Sequence, residues 1–245
     1  MPTDPSLLEL LRDASTGVPG DPAISLAAQS PADAAGPAYS AGDPATALLA
    51  LRAPALACQR CDLHLTRTHV VFGEGNPHAR LIIFGEAPGA DEDRRARPFQ
   101  GQAGQMLNGL LAEAGIRRED VWVSNTVKCR PTKQEGRFVS NRPPRVDEVR
   151  ACAIWREGEM DLMQPPMIAC LGATAGKMIL GREVKMTQER GRWLPGPHGA
   201  EVMLIYHPSY VMRQVGDALA RIRGEALSDL QAIAARLAEA GPAGG

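Results

Sequence analysis

The sequence predicts an α/β domain whose sheet is mostly parallel and covered by helices. Three observations carry that prediction. Short apolar runs alternate with stretches of helical periodicity, the order that a parallel sheet with helical crossovers requires. The first run, Leu81-Ile82-Ile83-Phe84-Gly85, is apolar on both faces, as a fully buried strand must be. Each run also ends at a glycine or a polar residue. Those residues therefore sit at the carboxyl edge of the sheet, where open α/β sheets hold their sites.

The elements follow in order. Residues 1–44 are rich in Pro, Gly, Ala, Ser and Asp, too poor in apolar surface to offset chain entropy, and are expected to form a disordered acidic tail. A folded domain is expected over 45–245. Residues 45–57 read as a helix running into Cys58-Gln59-Arg60-Cys61. After the strand at 81–85, Glu86 opens a turn in which Pro88 fixes one backbone angle and Gly89 frees another, so backbone N–H groups can approach a ligand. Phe99 and Gly101-Gln102-Ala103-Gly104 lead into a helix over 105–114, with Met106, Leu107, Leu110 and Leu111 on one face. A second strand is expected at 121–125, a long basic loop at 126–144 and a helix at 145–163. A third strand follows at 167–172, a helix at 173–180, a fourth strand at 202–206 ending in His207-Pro208-Ser209, and a closing helix at 216–240.

The charge is uneven. Residues 1–44 hold six Asp/Glu against one Arg, net −5, which leaves +4 for the rest of a chain whose formal charge is −1. Between Arg94 and Arg150 twelve Lys/Arg face six Asp/Glu, a balance that fits a polyanionic partner. No stretch is apolar enough to span a membrane and no export signal is read, so the expected setting is cytoplasmic, with no membrane partner.

Two constellations point to chemistry. Glu86, Asn125 and His207 are about 40 and 80 residues apart, yet each ends a different strand, so a parallel sheet brings them to one edge. Cys58 and Cys61 have the two-residue gap of a metal-binding pair, and Cys129 and Cys152 supply two further thiols; four thiolates suit tetrahedral zinc or an iron–sulfur cluster. Cys170 lies within an apolar strand and reads as core, while His64 and His69 read as surface residues. The odd cysteine count and the size of the chain argue against a disulfide scaffold.

The motifs Gly85-Glu86-Ala87-Pro88-Gly89, Arg97-Pro98-Phe99 with Gly101 and Gly104, Asn125 before Val127-Lys128-Cys129-Arg130-Pro131, and His207-Pro208-Ser209 with Arg213 resemble the family 4 uracil-DNA glycosylases over about residues 58–235. The resemblance implies a three-layer α/β/α sandwich around a central, mostly parallel four-stranded sheet. It implies a structural four-iron, four-sulfur (4Fe-4S) cluster on Cys58, Cys61, Cys129 and Cys152. It implies hydrolytic excision of uracil from single- or double-stranded DNA, by a monomer. In that scheme His207 donates to uracil O2, Glu86 handles water and the cationic sugar, and the backbone at Ala87, Pro88 and Gly89 lies against the base. Asn125 reads the O4/N3 edge, Phe99 stacks on the ring, Glu92 meets C5, and Ser209 and Arg213 face the DNA. Other glycosylase families place an aspartate where this chain has Ala87, so the water falls to Glu86 or Glu92. A related subgroup carries an arginine-rich loop ending in a histidine that bonds to the sugar. Residues 137–142 contain no histidine, so turnover without a trapped adduct is expected. An iron–sulfur DNA-binding module without turnover is the alternative.

Overall fold

The structure is a computed structural model that describes residues 43–239; the tail expected over 1–44 lies outside them apart from Asp43 and Pro44. Those two residues start α1 (Pro44–Leu56). Asp43 Oδ2 accepts the Thr46 N–H at 3.3 Å, and Pro44 occupies a position where no N–H is needed. In chain order there follow β1 (Glu74–Gly75), β2 (Leu81–Gly85), α2 (Ala90–Arg95), α3 (Gln102–Glu113), β3 (Trp122–Asn125), β4 (Thr132–Glu135), β5 (Phe138–Asn141) and α4 (Val146–Met163). The chain continues through β6 (Met167–Leu171), α5 (Gly172–Leu180), α6 (Met186–Glu189), β7 (Trp193–Pro195), β8 (Glu201–Ile205), α7 (Pro208–Met212) and α8 (Gly216–Glu239).

The main sheet has the order β1-β3-β2-β6-β8-β7. Its four inner strands are parallel, as the sequence predicts. The expected four-stranded sheet is corrected to six, because β1 and β7 add short antiparallel edges. With two and three residues, these edges are too short to carry a readable alternation.

The alternation along the inner strands decides the layers. Ile82 and Phe84 point to one face, where they pack with Leu48 and Leu51 of α1, Trp155 and Met160 of α4, and Ala175 and Ile179 of α5. Leu81 and Ile83 point to the other, against Leu107 and Leu111 of α3 and Ile222, Leu230 and Ile233 of α8. The result is a three-layer sandwich. Each large side chain buried in this way stabilises the fold by about 1.5–3 kcal/mol.

The basic segment 126–144 is the second correction. It is not loop throughout, because β4 and β5 pair antiparallel around a two-residue turn at Gly136-Arg137. Gly136 has φ 60° and Arg137 is not in the left-handed region, so glycine supplies the positive angle at the first turn position.

Register then sets the functional edge. Gly85 lies level with Asn125, and Leu171 with Ile205, so the turns after β2, β3, β6 and β8 open on one side.

Candidate active site

The edge is crowded, and glycines make the room. A Cβ on Gly85 would stand 2.5 Å from Asn125 Oδ1 and 2.7 Å from Phe99 Cζ, so only glycine lets the amide and the ring close over this strand end. Phe99 itself has φ 55°, a left-handed backbone that costs about 1–3 kcal/mol in a non-glycine residue. Its carbonyl oxygen would lie 1.7 Å from a Cβ on Gly104, so Gly104 permits that bend. On the far strand, Gly172 with φ 88° leaves space for His207, whose Cβ would be 3.3 Å from an added methyl.

Glu86 is held by its backbone: its carbonyl accepts the Thr126 hydroxyl at 2.7 Å and the Val127 N–H at 3.1 Å. Its side chain is half-buried. Burial pushes the carboxyl pKa up, and a hydrogen bond with Thr174 only partly offsets this. Glu92 is committed differently. One of its oxygens accepts the Gly89 N–H at 3.1 Å and the other the Gly101 N–H at 2.9 Å, so a buried carboxylate ties the turn after β2 to the start of α3.

His207 Nδ1 accepts the Ser209 N–H at 3.1 Å. That bond assigns the ring proton to Nε2. Burial, aided by the nearby Arg213 charge and opposed by Glu92, lowers the imidazole to about 4, so the ring is neutral at physiological pH.

Glu86, Ala87, Pro88, Gly89, Glu92, Phe99, Asn125, His207, Ser209 and Arg213 all line one cavity of about 700 Å³. Thr174 and, from the hairpin side, Asn141 and Arg142 line it too, and sequence reasoning missed all three. The volume lies within the usual range for a pocket that encloses a small ligand. The cavity offers an acceptor, a neutral N–H donor, an amide and an aromatic face.

Behind the cavity lies a charge pair that the sequence does not announce. Lys128 and Glu159 are 1% and 0% exposed and 2.5 Å apart. Lys128 Nζ also donates to Ser124 Oγ at 2.6 Å and to the Asn125 carbonyl at 2.8 Å, between the rings of Phe72 and Phe84. Glu159 further accepts the Gly73 N–H at 3.1 Å, the Trp122 Nε1–H at 3.3 Å and the Ser124 hydroxyl at 3.0 Å. The pair thus holds the backbone at the end of β3. The only sequence cue is a lysine that follows a buried strand.

With this geometry in place, the comparisons decide the family. The model of the uracil DNA glycosylase superfamily matches residues 72–231. The chain belongs to that superfamily. It is 43% identical over 166 residues to the type-4 uracil-DNA glycosylase of Thermotoga maritima, covering 67% of this chain and 83% of the relative. The type-4 enzyme of Archaeoglobus fulgidus is 37% identical over 167 residues, 64% of this chain and 79% of the relative. That of Pyrobaculum aerophilum is 37% identical over 180 residues, 71% and 86% respectively.

In this superfamily member, Cys58, Cys61, Cys129 and Cys152 line one common pocket. N–H donors address three of the four sulfurs: Trp155 Nε1 reaches Cys58 at 3.3 Å, Arg67 Nη1 reaches Cys129 at 3.3 Å and the Lys128 backbone reaches Cys152 at 3.2 Å. Burial raises Cys129 to about 11 and Cys152 to about 12. As free thiols these would keep their protons, whereas the donors around them suit thiolates, so the set fits a cationic inorganic core. Cys170 is buried in β6 outside this group. His69 is exposed as expected, but His64 is half-buried, with Nδ1 donating to the Cys61 carbonyl at 2.8 Å. No helix among the described residues is long and apolar enough to cross a membrane.

Proposed function

We propose that this protein hydrolyses the N-glycosidic bond of a deoxyuridine extruded from DNA, releasing uracil and so initiating base excision repair. The observation that carries the reading is a neutral, Nε2-protonated His207 sharing one cavity with Asn125, Phe99 and Glu86.

A base within a duplex must leave the stack before its bond to the sugar can be cut, at a cost of a few kcal/mol. Phe99 offers a face for the extruded ring; a base–aromatic stack is worth about 1–3 kcal/mol. The Asn125 amide presents a donor and an acceptor, which match uracil O4 and N3–H and mismatch cytosine. As the bond breaks, negative charge gathers on the base and positive charge on the sugar. His207 donates its Nε2–H to O2, a fixed dipole aimed at the developing anion. Keeping the imidazole neutral avoids moving a full charge within a desolvated site.

The choice between the two carboxylates falls on Glu86. Both oxygens of Glu92 are already bonded to backbone N–H groups, which supports a wall role beside C5, where a thymine methyl would clash. Glu86, with Thr174 as its side-chain partner, orients the attacking water and stabilises the cationic sugar. The backbone of Ala87, Pro88 and Gly89 lies against the base, and Ser209 and Arg213 meet the DNA backbone.

A 4Fe-4S cluster on Cys58, Cys61, Cys129 and Cys152 would cross-link α4, the segment after β3 and the segment after α1, and would supply no electron to the reaction. The expected result is visible absorbance from iron that is lost in Cys129→Ala and kept in Cys170→Ala; equal loss in both, or zinc in place of iron, would exclude this ligand set. The protein is proposed to act inside the cell, as a monomer, on single- or double-stranded DNA, with residues 1–44 as an acidic tail outside the catalytic domain.

The direct test is release of free base from a labelled single-stranded oligonucleotide carrying one uracil. Uracil and an abasic strand are expected, with no release from the thymine counterpart. Binding without release would instead favour a DNA-binding module. Boiling the reaction in detergent should leave no protein–DNA adduct, since the hairpin segment lacks a histidine; a surviving adduct would replace hydrolysis with covalent capture.

A further inference from the structure

The hairpin of β4 and β5 ends in apolar side chains that serve no core. Phe138 is 71% exposed and Val139 53% exposed. Two antiparallel strands alone are marginally stable in water, so a hairpin that displays an aromatic needs support at its base. The support is present. Arg142 donates to both Glu148 oxygens at 2.8 and 2.5 Å and to the Thr132 carbonyl at 3.0 Å, and Arg130 Nε donates to Asn141 Oδ1 at 2.7 Å. Glu148 is fully buried. The base is therefore fixed on α4 while the tip projects.

The placement bears on the proposed site. Asn141 and Arg142 at the hairpin base line the cavity, and Ser209 and Arg213 of the α7 segment line it as well. Tyr210 and Met212 of α7 are also exposed. The cavity is thus lined in part by two segments that each carry exposed apolar side chains. From Arg130 to Arg142 the chain holds four Lys/Arg (Arg130, Lys133, Arg137 and Arg142) against one acid, Glu135. The Arg137 guanidinium lies over the Phe138 ring, 5.6 Å from its centroid. A cationic, aromatic tip on a hairpin whose base lines a nucleotide-sized cavity is a combination suited to unpaired bases.

We propose that this hairpin is a second DNA-contacting prong, with Phe138 and Val139 stacking on a base next to the extruded deoxyuridine while Lys133 and Arg137 face its phosphates. The inference rests on the glycosylase reading and adds a contact outside its pocket.

The test compares the full chain with Phe138→Ser/Val139→Ser and with Phe138→Trp. Uracil release is measured in single turnover on a single-stranded uracil oligonucleotide and on deoxyuridine bearing phosphates but no neighbouring base. The double variant should raise the half-saturating concentration for the oligonucleotide by roughly 5- to 150-fold, the span of one base–aromatic stack, with the rate at saturation little changed. The penalty should disappear on the substrate without neighbouring bases. Phe138→Trp should retain affinity, and its added indole fluorescence should be quenched by uracil-containing DNA. Equal half-saturation for the parent and the double variant, with no quenching of the introduced tryptophan, would overturn the proposal and leave the tip to a protein partner. Should the parent release no uracil from either substrate, the glycosylase reading fails, while quenching by DNA still reports on the prong.

Discussion

Replacing His207 with alanine is expected to slow single-turnover uracil release by about 10²–10³-fold, the usual loss when one donor to a developing oxyanion is removed. The loss should appear in the rate at saturating DNA, because the Nε2–H meets its full partner only once charge has moved onto O2. The pH profile separates this role from that of an acid. With His207 lowered to about 4, acidification from pH 8 to pH 5 leaves the imidazole neutral and its donor intact. The acid limb should therefore belong to Glu86. Its pKa is raised by burial, so the carboxylate is lost as pH falls through a value above the ordinary 4.5. Glu86→Gln should remove that limb along with most of the rate. Stability follows the same logic. The depressed imidazole favours the fold fully above its unfolded value near 6.5, and this contribution is lost as pH falls through about 4. In the pH–rate profile, by contrast, an inflection near 6.5 in the parent that vanishes in His207→Ala would show a charged imidazole at work and would end this account.

What the sequence disclosed, and what it hid, follows from the range of the interactions. Glu86, Asn125 and His207 could be placed because a parallel sheet turns three distant strand ends into one edge, and the apolar runs before them are unambiguous. The hairpin was hidden although Glu135-Gly136-Arg137-Phe138 carries the turn chemistry. Lys133, Gln134 and Glu135 show no apolar alternation, because the hairpin buries neither face. The two-residue gap made the Cys58–Cys61 pair legible and the resemblance added Cys129 and Cys152, but the N–H donors around these sulfurs were not legible, since Arg67 and Trp155 reach them from elements distant in sequence. Glu92 illustrates the limit at short range. The resemblance gives it a role at the site, yet only the fold brings Gly101 back to bond its second oxygen. Lys128 and Glu159, 31 residues apart, carried no mutual signal at all.

That last pair should be the most sensitive structural element behind the site. Glu159→Gln leaves the Lys128 ammonium in a dry pocket without its counter-charge, and breaking a buried ion pair costs about 3–5 kcal/mol. In a domain of this size each kcal/mol moves the melting temperature by about 2–4 °C, so a fall of roughly 6–20 °C is expected. Lys128→Met alone strands the carboxylate instead, although Gly73, Trp122 and Ser124 continue to donate to it. Combining the two changes removes both charges while glutamine keeps an acceptor for those donors. The double variant should therefore melt above the sum of the two single losses, with a coupling of about 0.5–3 kcal/mol. Activity adds a second reading. Any variant without the ammonium frees the Asn125 carbonyl, which Nζ holds at 2.8 Å, so uracil release should slow even at temperatures where the chain remains folded. Additive losses, or a melting temperature in Glu159→Gln equal to that of the parent, would mean that the two charges do not act as a pair. Recovery of stability without recovery of rate in the double variant is the expected pattern, because packing can replace a charge pair but not the bond from the ammonium to the Asn125 carbonyl.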